Sequence, residues 1–239
     1  GGAVTLGAAD DWSRHCITKM ASLHFPSCAE YARRLVRMGE DPARVHNVGG
    51  LGDENIRKMP RMPLDEIAES IGFSLDAPYA LVTFHPETAG AASPLAQMEQ
   101  LLAAMEQMQN MRWIITKANA DAGGEGLNAR LERWCEGREN AILVASLGVK
   151  RYLSAMEKAA MVVGNSSSGV VETPTFGVPA VNIGQRQAGR ILCGNVLCCP
   201  AEESAILAAM QKAVSPQFTA AAHRTVSPYN GGDTARRIA

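Results

Sequence analysis

The sequence predicts an α/β protein built on a doubly wound parallel sheet. Between about residues 79 and 214, short apolar runs rich in β-branched residues alternate with amphipathic helical patterns. The runs are nearly continuous in hydrophobicity, as strands covered on both faces must be. Each is bounded by Gly, Pro or Asn, which punctuate strand ends. In such a sheet, ligands lie beyond the carboxyl ends of the strands.

The first 75 residues offer a helix, a short strand at "SLHFP", a helix from Ser27 to Met38, a strand at "RVHNVG" and a helix near "PLDEIAES". This is only two or three βα units, too few to close an independent sheet. With its abrupt Gly1-Gly2 start, the segment is expected to be the end of a larger domain. The main alternation then begins. Strands are predicted at Tyr79 to His85, Arg112 to Asn119, Asn140 to Ser146, Met161 to Ser166, Pro179 to Gly184 and Asn195 to Pro200.

Between these strands, Ser93 is a helix N-cap and Pro94 sits in the first turn. Leu95, Met98, Leu101, Leu102, Met105 and Met108 then recur at helical spacing, a core stripe in which Met fills irregular gaps. Leu127, Leu131 and Trp134 repeat the pattern, followed by Leu153 with Met156, then Ile206, Leu207 and Met210. The "GGEG" at 123 to 126 follows a strand without the spacing of a dinucleotide fingerprint and is expected to be a flexible loop. A last helix should begin after Asp233 or Thr234.

Composition narrows the function. Twenty-three basic against 24 acidic residues, net charge −1, suggest neither a nucleic-acid nor an anionic-membrane partner. The longest apolar runs, such as "AILVASLGV", are about half the ~20 residues of a bilayer span. No secretion signal opens the chain, so a cytoplasmic location is expected. Cys16, Cys28, Cys135, Cys193, Cys198 and Cys199 do not complete a zinc-site spacing, and structural thiols are expected.

The chemistry concentrates in "VVGNSSSGVVETPTFGVPAVNIGQRQAGR", Val162 to Arg190. The strand delivers the chain to Asn165, Ser166 and Ser167, and a short helix starts there. Free backbone N–H groups flanked by hydroxyls bind a phosphate well. Glu172, five residues past Ser167, is placed to accept hydrogen bonds from a sugar diol, and Arg186 brings a fixed positive charge from the next strand end. Phosphate, diol and charge together describe a nucleotide. Taken singly, the serines also fit ordinary helix caps and Glu172 a solvated helix residue. No GxGxxG follows the first strand of the alternation and no GxxxxGK[ST] occurs, so dinucleotide and P-loop readings are weak.

The block "GNSSSGVVETPTFGVPAVNIGQRQAGR" resembles the most distinctive motif of the UDP-N-acetylglucosamine 2-epimerases. "HCITKMASLHFPSCAEYARRLVRMGEDPARVHNVGGLGDENI", "LVTFHPET", "TKANADAGGEGLN" and "SPYNGGDTARRIA" resemble other family segments in the same order, so the likeness covers essentially the whole chain. "FHPET" and "KANADAGG" look more like the hydrolysing branch, which makes N-acetylmannosamine and UDP for sialic acid pathways. The resemblance implies a GT-B-like fold, two Rossmann-like halves with the nucleotide sugar between them. On it, residues 1–75 would be the carboxyl-terminal part of the first half plus linker, 76–226 the UDP-binding half, and 227–239 the start of a closing helix returning to the first.

By resemblance, Ser166 and Ser167 bind the diphosphate and Glu172 the ribose hydroxyls, while Arg186, His85 and Asn119 line the UDP site. Leu147 matches a position whose main chain meets the uracil. The family uses no redox cofactor: UDP leaves by elimination across C1 and C2 of the sugar, and water then adds with inversion at C2. That route needs carboxylates as acid and base. Asp10, beside Asp11, matches one such position, and His85 is the second catalytic candidate. A further family acid near the Gly-Gly pair has no counterpart in this chain. The chain by itself is therefore expected to be much less active than one with the first half restored. No metal or cofactor is expected, the partner is a UDP-sugar, and a homo-oligomer, dimer or tetramer, is expected. A non-hydrolysing epimerase, a GT-B glycosyltransferase and a UDP-binding module without chemistry are the alternatives.

Overall fold

The structure, a computed structural model, describes residues 1–5, 10–87, 92–119 and 123–239, with Asp10 described in its backbone alone. The chain forms two compact units. The first contains Gly1–Met59, Ala188–Ile191 and Val226–Ala239. It opens with α1 (Asp10–Met20) and α2 (Ala29–Arg37), which buries Tyr31 and Leu35. The two strands expected here reduce to one parallel bridge, His24 with Val45. Extended backbone is paired only over a short stretch: His24 N–H donates to Arg44 and His46 N–H to His24, both at 2.9 Å, and Val48 N–H to Pro26 at 3.3 Å.

Helix α3 (Leu51–Lys58) was not expected, since glycines flank and enter it. Its signal is electrostatic: Asp53 and Glu54 fill the first turn and Arg57 and Lys58 the last, complementing the helix dipole. The same residues pair at i,i+4, Arg57 with Asp53 at 2.7 Å and Lys58 with Glu54.

The second unit contains Pro60–Gln187 and Leu192–Thr225. Helix α4 (Leu64–Ile71) ends at Gly72, whose φ of 64° is left-handed. There follow β1 (Tyr79–Thr83), α5 (Pro94–Glu106), β2 (Arg112–Thr116), α6 (Gly124–Cys135), β3 (Ala141–Val144), α7 (Gly148–Lys158) and β4 (Met161–Gly164). Then come the one-turn helices α8 (Ser168–Val171) and α9 (Thr173–Phe176), β5 (Ala180–Ile183), β6 (Val196–Cys199), α10 (Glu203–Ala213) and α11 (Pro216–Ala222). The strands pair in parallel in the order β3-β2-β1-β4-β5-β6. All six fall within the runs that the sequence marked, and the expected α/β class holds.

Their near-continuous hydrophobicity has its reason in two cores. Ala80, Val82, Trp113, Ile115, Met161 and Val163 pack on one face with Met98 and Leu101 of α5, Leu127 of α6 and Met210 of α10. Tyr79, Leu81, Ile114 and Val162 pack on the other with Ile67 of α4 and Met156 of α7. Successive residues of each strand thus serve opposite cores. Ser93 caps α5 as expected, accepting from Ala96 N–H at 3.2 Å.

The "GGEG" expectation is overturned: Gly124–Gly126 form the first turn of α6, and Gly123 is its N-cap with φ 93°. A Cβ on Gly124 would lie 2.1 Å from the Asn119 carbonyl oxygen, so glycine here allows a close backbone approach. Helix α11 was also unread, although Ser215-Pro216 is a cap signal; Ser215 Oγ accepts from Phe218 N–H at 3.3 Å.

The chain then closes the first unit with α12 (Thr234–Ile238), the expected last helix. Buried Glu54 accepts from Ala235 N–H at 2.8 Å, satisfying a free donor of its first turn. Thr234 Oγ1 donates to Val48 at 3.1 Å. Among the described residues, no helix is long and apolar enough to cross a membrane.

Candidate functional site

In the strand order just given, the chain changes direction of travel between β1 and β4. Side connections depart to opposite sides there and leave a crevice beyond the carboxyl ends. The two strands end level, Thr83 opposite Gly164. Beyond them run Phe84-His85 from β1 and Asn165-Ser166-Ser167 from β4.

Asn165 ties these ends together. Its side chain is fully buried, accepts from His85 N–H through Oδ1 at 2.7 Å and donates through Nδ2 to the His85 carbonyl at 2.9 Å. Its backbone N–H donates to Thr83 at 3.2 Å. Its carbonyl accepts from Arg186 Nη1 at 3.2 Å and from buried Gln187 Nε2 at 2.8 Å. One residue thus anchors the chain after β1, β4 and β5. From β2, Asn119 N–H donates to His85 Nδ1 at 3.2 Å. That bond leaves the ring proton on Nε2, a donor on the far side of the ring. A second tie joins β1 and β5: buried Glu87 accepts from Gln185 N–H at 3.1 and 3.3 Å through its two oxygens.

His85, Asn119, Ser166 and Arg186, named from the sequence on four separate strand ends, are therefore brought to one place. Ser167 follows as the N-cap of α8. The helix expected to run through "SGVVETPTFG" breaks in two, and Glu172 stands at the joint between α8 and α9. With only one turn in α8, little macrodipole accumulates.

Glu172 makes no side-chain hydrogen bond or ion pair with another described residue, and burial pushes its pKa above the usual carboxylate range. Leu147 lies one strand further out, after β3, with its side chain in the second core and its carbonyl accepting from Arg151 Nε at 2.8 Å. Asp10 begins α1 in the other unit, and its side chain lies outside the described residues. Among the described residues, no group of three or more His, Cys, Asp or Glu could hold a metal ion.

Sequence reasoning missed Asn165, Glu87 and Gln187 as the residues that hold this arrangement. Asn165 stood in the motif, but its partner is 80 positions away and no local pattern announces it.

The Glu172 environment has a measurable consequence. A carboxyl whose pKa is higher folded than unfolded binds its proton more tightly in the native state. Its contribution to stability is full below the unfolded value of about 4.3 and is lost as pH rises through the folded value. The melting temperature of the protein, relative to that of Glu172→Gln, is expected to fall between about pH 4 and about pH 7. A difference that stays constant over that range would place the carboxylate in bulk solvent.

A family model described as UDP-N-acetylglucosamine 2-epimerase matches residues 1–239. A Campylobacter jejuni protein named GDP/UDP-N,N'-diacetylbacillosamine 2-epimerase (hydrolyzing) is 39% identical over 198 residues, 82% of this chain and 52% of its own. The Escherichia coli polysialic acid biosynthesis protein P7 is 34% identical over 230 residues, 96% of this chain and 58% of its own. This chain thus spans between half and three fifths of the length of these two curated relatives. Among solved structures, the UDP-GlcNAc 2-epimerase from Neisseria meningitidis bound to UDP-GlcNAc aligns with a TM-score of 0.83 at 13% identity. That alignment covers all of this chain and 67% of the other. At that identity the likeness speaks for the fold, and the GT-B-like class expected from the sequence holds.

Proposed function

This chain belongs to the UDP-N-acetylglucosamine 2-epimerase family, and from that premise and the site's geometry we propose that it serves a hydrolysing 2-epimerase. The substrate would be UDP-N-acetylglucosamine or a 2,4-diacetamido-6-deoxy analogue, and the products N-acetylmannosamine, or its analogue, and UDP. The observation that carries the reading is the convergence on Asn165 of His85, the serine turn and Arg186 at the β1/β4 crevice. The 39% identity to a protein named as hydrolysing supports that branch.

In this reading Ser166 and Ser167 donate hydrogen bonds to the diphosphate and Arg186 neutralises its charge. Glu172, with no competing partner among the described residues, accepts from the ribose diol. The Leu147 main chain meets the uracil, and Asn119 completes the lining. His85, its Nδ1 occupied by Asn119 N–H, presents Nε2–H to the departing diphosphate. A base takes the proton from C2 while the C1–O bond breaks towards UDP, leaving a C1=C2 double bond. Water then adds its hydroxyl at C1, and a proton arrives at C2 from the opposite face. Asp10 is assigned to that acid–base work.

Proton NMR of the products from each candidate UDP-sugar tests the assignment. Free N-acetylmannosamine or its analogue, appearing with UDP and without an acceptor, is expected. An epimerised sugar still attached to UDP would assign the non-hydrolysing reaction, and transfer only to an added acceptor would assign a glycosyltransferase. UDP binding with no product would leave a nucleotide-binding module. Equal or tighter binding of NAD than of UDP would remove the nucleotide-sugar reading altogether.

The division of labour is open to calorimetry with UDP and uridine. Replacing Ser166 and Ser167 together by Ala is expected to weaken UDP far more than uridine, which has no phosphate. Glu172→Ala is expected to weaken both alike, by about 10- to 150-fold, the loss of a charged hydrogen-bond acceptor. Unchanged uridine binding by Glu172→Ala would show that the carboxylate does not hold the ribose.

A further inference from the structure

The serine turn contains a hydrogen-bond chain that the nucleotide reading leaves unused. Ser168 presents its Oγ at 3.2 Å and its backbone N–H at 3.4 Å to Ser166 Oγ. Ser168 Oγ lies in turn 2.7 Å from the phenol oxygen of Tyr152, on α7. Burial pushes the Tyr152 pKa up and Glu172 raises it further, against hydrogen bonds shared with the Ser168 and Thr83 hydroxyls, so the phenol keeps its proton and has it to donate.

A serine hydroxyl has one proton and two lone pairs. If Ser166 Oγ accepts from both the Ser168 N–H and the Ser168 O–H, its lone pairs are engaged and its own proton is what it has left to offer. Whether Ser168 can donate depends on the polarity of its other bond. Either oxygen of the Tyr152–Ser168 pair can donate; the greater acidity of a phenol favours Tyr152 O–H donating to Ser168 Oγ, with the Thr83 hydroxyl as the phenol's other partner, and that polarity turns Ser168 O–H towards Ser166. Each accepted bond polarises the next O–H in the chain. The opposite polarity would have Ser168 donate to Tyr152 and would direct the Ser166 proton back at Ser168, away from a ligand.

We propose that Tyr152 is a positioning residue for the anion site: through Ser168 it orients Ser166 so that its hydroxyl proton faces the diphosphate. The inference rests on the assignment of Ser166 to the diphosphate. A donor oriented before the ligand arrives needs no reorganisation when charge builds on the leaving UDP, and Ser168, which the sequence left without a role, becomes the link.

Calorimetry on the protein, Tyr152→Phe, Ser168→Ala, Ser166→Ala and the Tyr152→Phe/Ser166→Ala double variant tests this, with UDP and uridine as the probes. Tyr152→Phe keeps the ring and removes only the hydroxyl. It is expected to weaken UDP by about 3- to 10-fold, the range of one neutral hydrogen bond, while leaving uridine binding unchanged. Ser168→Ala should do the same. In the Ser166→Ala background, Tyr152→Phe should change UDP affinity no further, since the group it orients is gone. UDP and uridine weakened alike would mean a general loosening and would overturn the relay. So would a Tyr152→Phe effect that persists undiminished without the Ser166 hydroxyl, or tighter UDP binding by Tyr152→Phe, the mark of the reversed polarity. Failure of the unsubstituted protein to bind UDP would instead remove the nucleotide assignment from which the relay follows.

Discussion

Gly164→Ala is expected to destabilise the protein by about 2 to 6 kcal/mol, combining backbone strain with overpacking. Gly164 ends β4 with φ of 136°, a region that residues bearing a Cβ rarely adopt. A Cβ built there would lie 2.0 Å from the Thr83 carbonyl oxygen and 2.8 Å from its carbon. Neither obstacle can rotate away, because both are backbone of the central strand β1. Relief requires the β1–β4 seam to open where it is level, which also breaks the 3.2 Å bond from Asn165 N–H to the Thr83 carbonyl. A loss of that size removes much of the ~5 to 15 kcal/mol typical of a domain. Urea denaturation of both proteins measures it, and a loss below about 1 kcal/mol would show that the seam yields without cost.

The second large effect is expected from Asn165→Ala, for a different reason. Nothing is overpacked; instead the His85 N–H and C=O lose the Asn165 amide, Oδ1 at 2.7 Å and Nδ2 at 2.9 Å. An unsatisfied buried polar group costs about 1 to 3 kcal/mol; His85 is half-buried, so the pair amounts to at most roughly 2 to 6 kcal/mol. His85 also accepts from Asn119 N–H, so releasing its backbone loosens the β1 and β2 ends together. UDP affinity is expected to fall along with the melting temperature, in contrast to the serine variants, which should lose affinity at nearly constant stability. Should Asn165→Ala melt like its parent, water has taken the place of the amide.

The sequence by itself determined the six strands of the second unit and most of its helices, α11 apart, because those signals are local. A continuous apolar run bounded by Gly, Pro or Asn marks a strand buried on both faces, and Ser93-Pro94 before a 3.6-residue stripe marks a helix start. It also marked Ser166, Ser167 and Arg186 as chemistry at strand ends, for the same reason, whereas His85 and Asn119 entered through the resemblance to a known family. The local signals misled where their meaning depends on a neighbour. The glycines of "GGEG" read as flexibility, yet Gly124 answers a carbonyl oxygen that a Cβ would meet at 2.1 Å. The extended residues around His24 and Val45 read as strands, yet they pair through a single bridge.

Only the tertiary structure decided the strand order and hence the crevice between β1 and β4, since parallel strands joined by helical crossovers can be ordered in several ways at the same local pattern. It alone disclosed that Asn165 grips His85 across 80 residues and that Tyr152 reaches Ser166 through Ser168. Those contacts depend on side-chain geometry between elements far apart in the chain, and sequence spacing does not encode them.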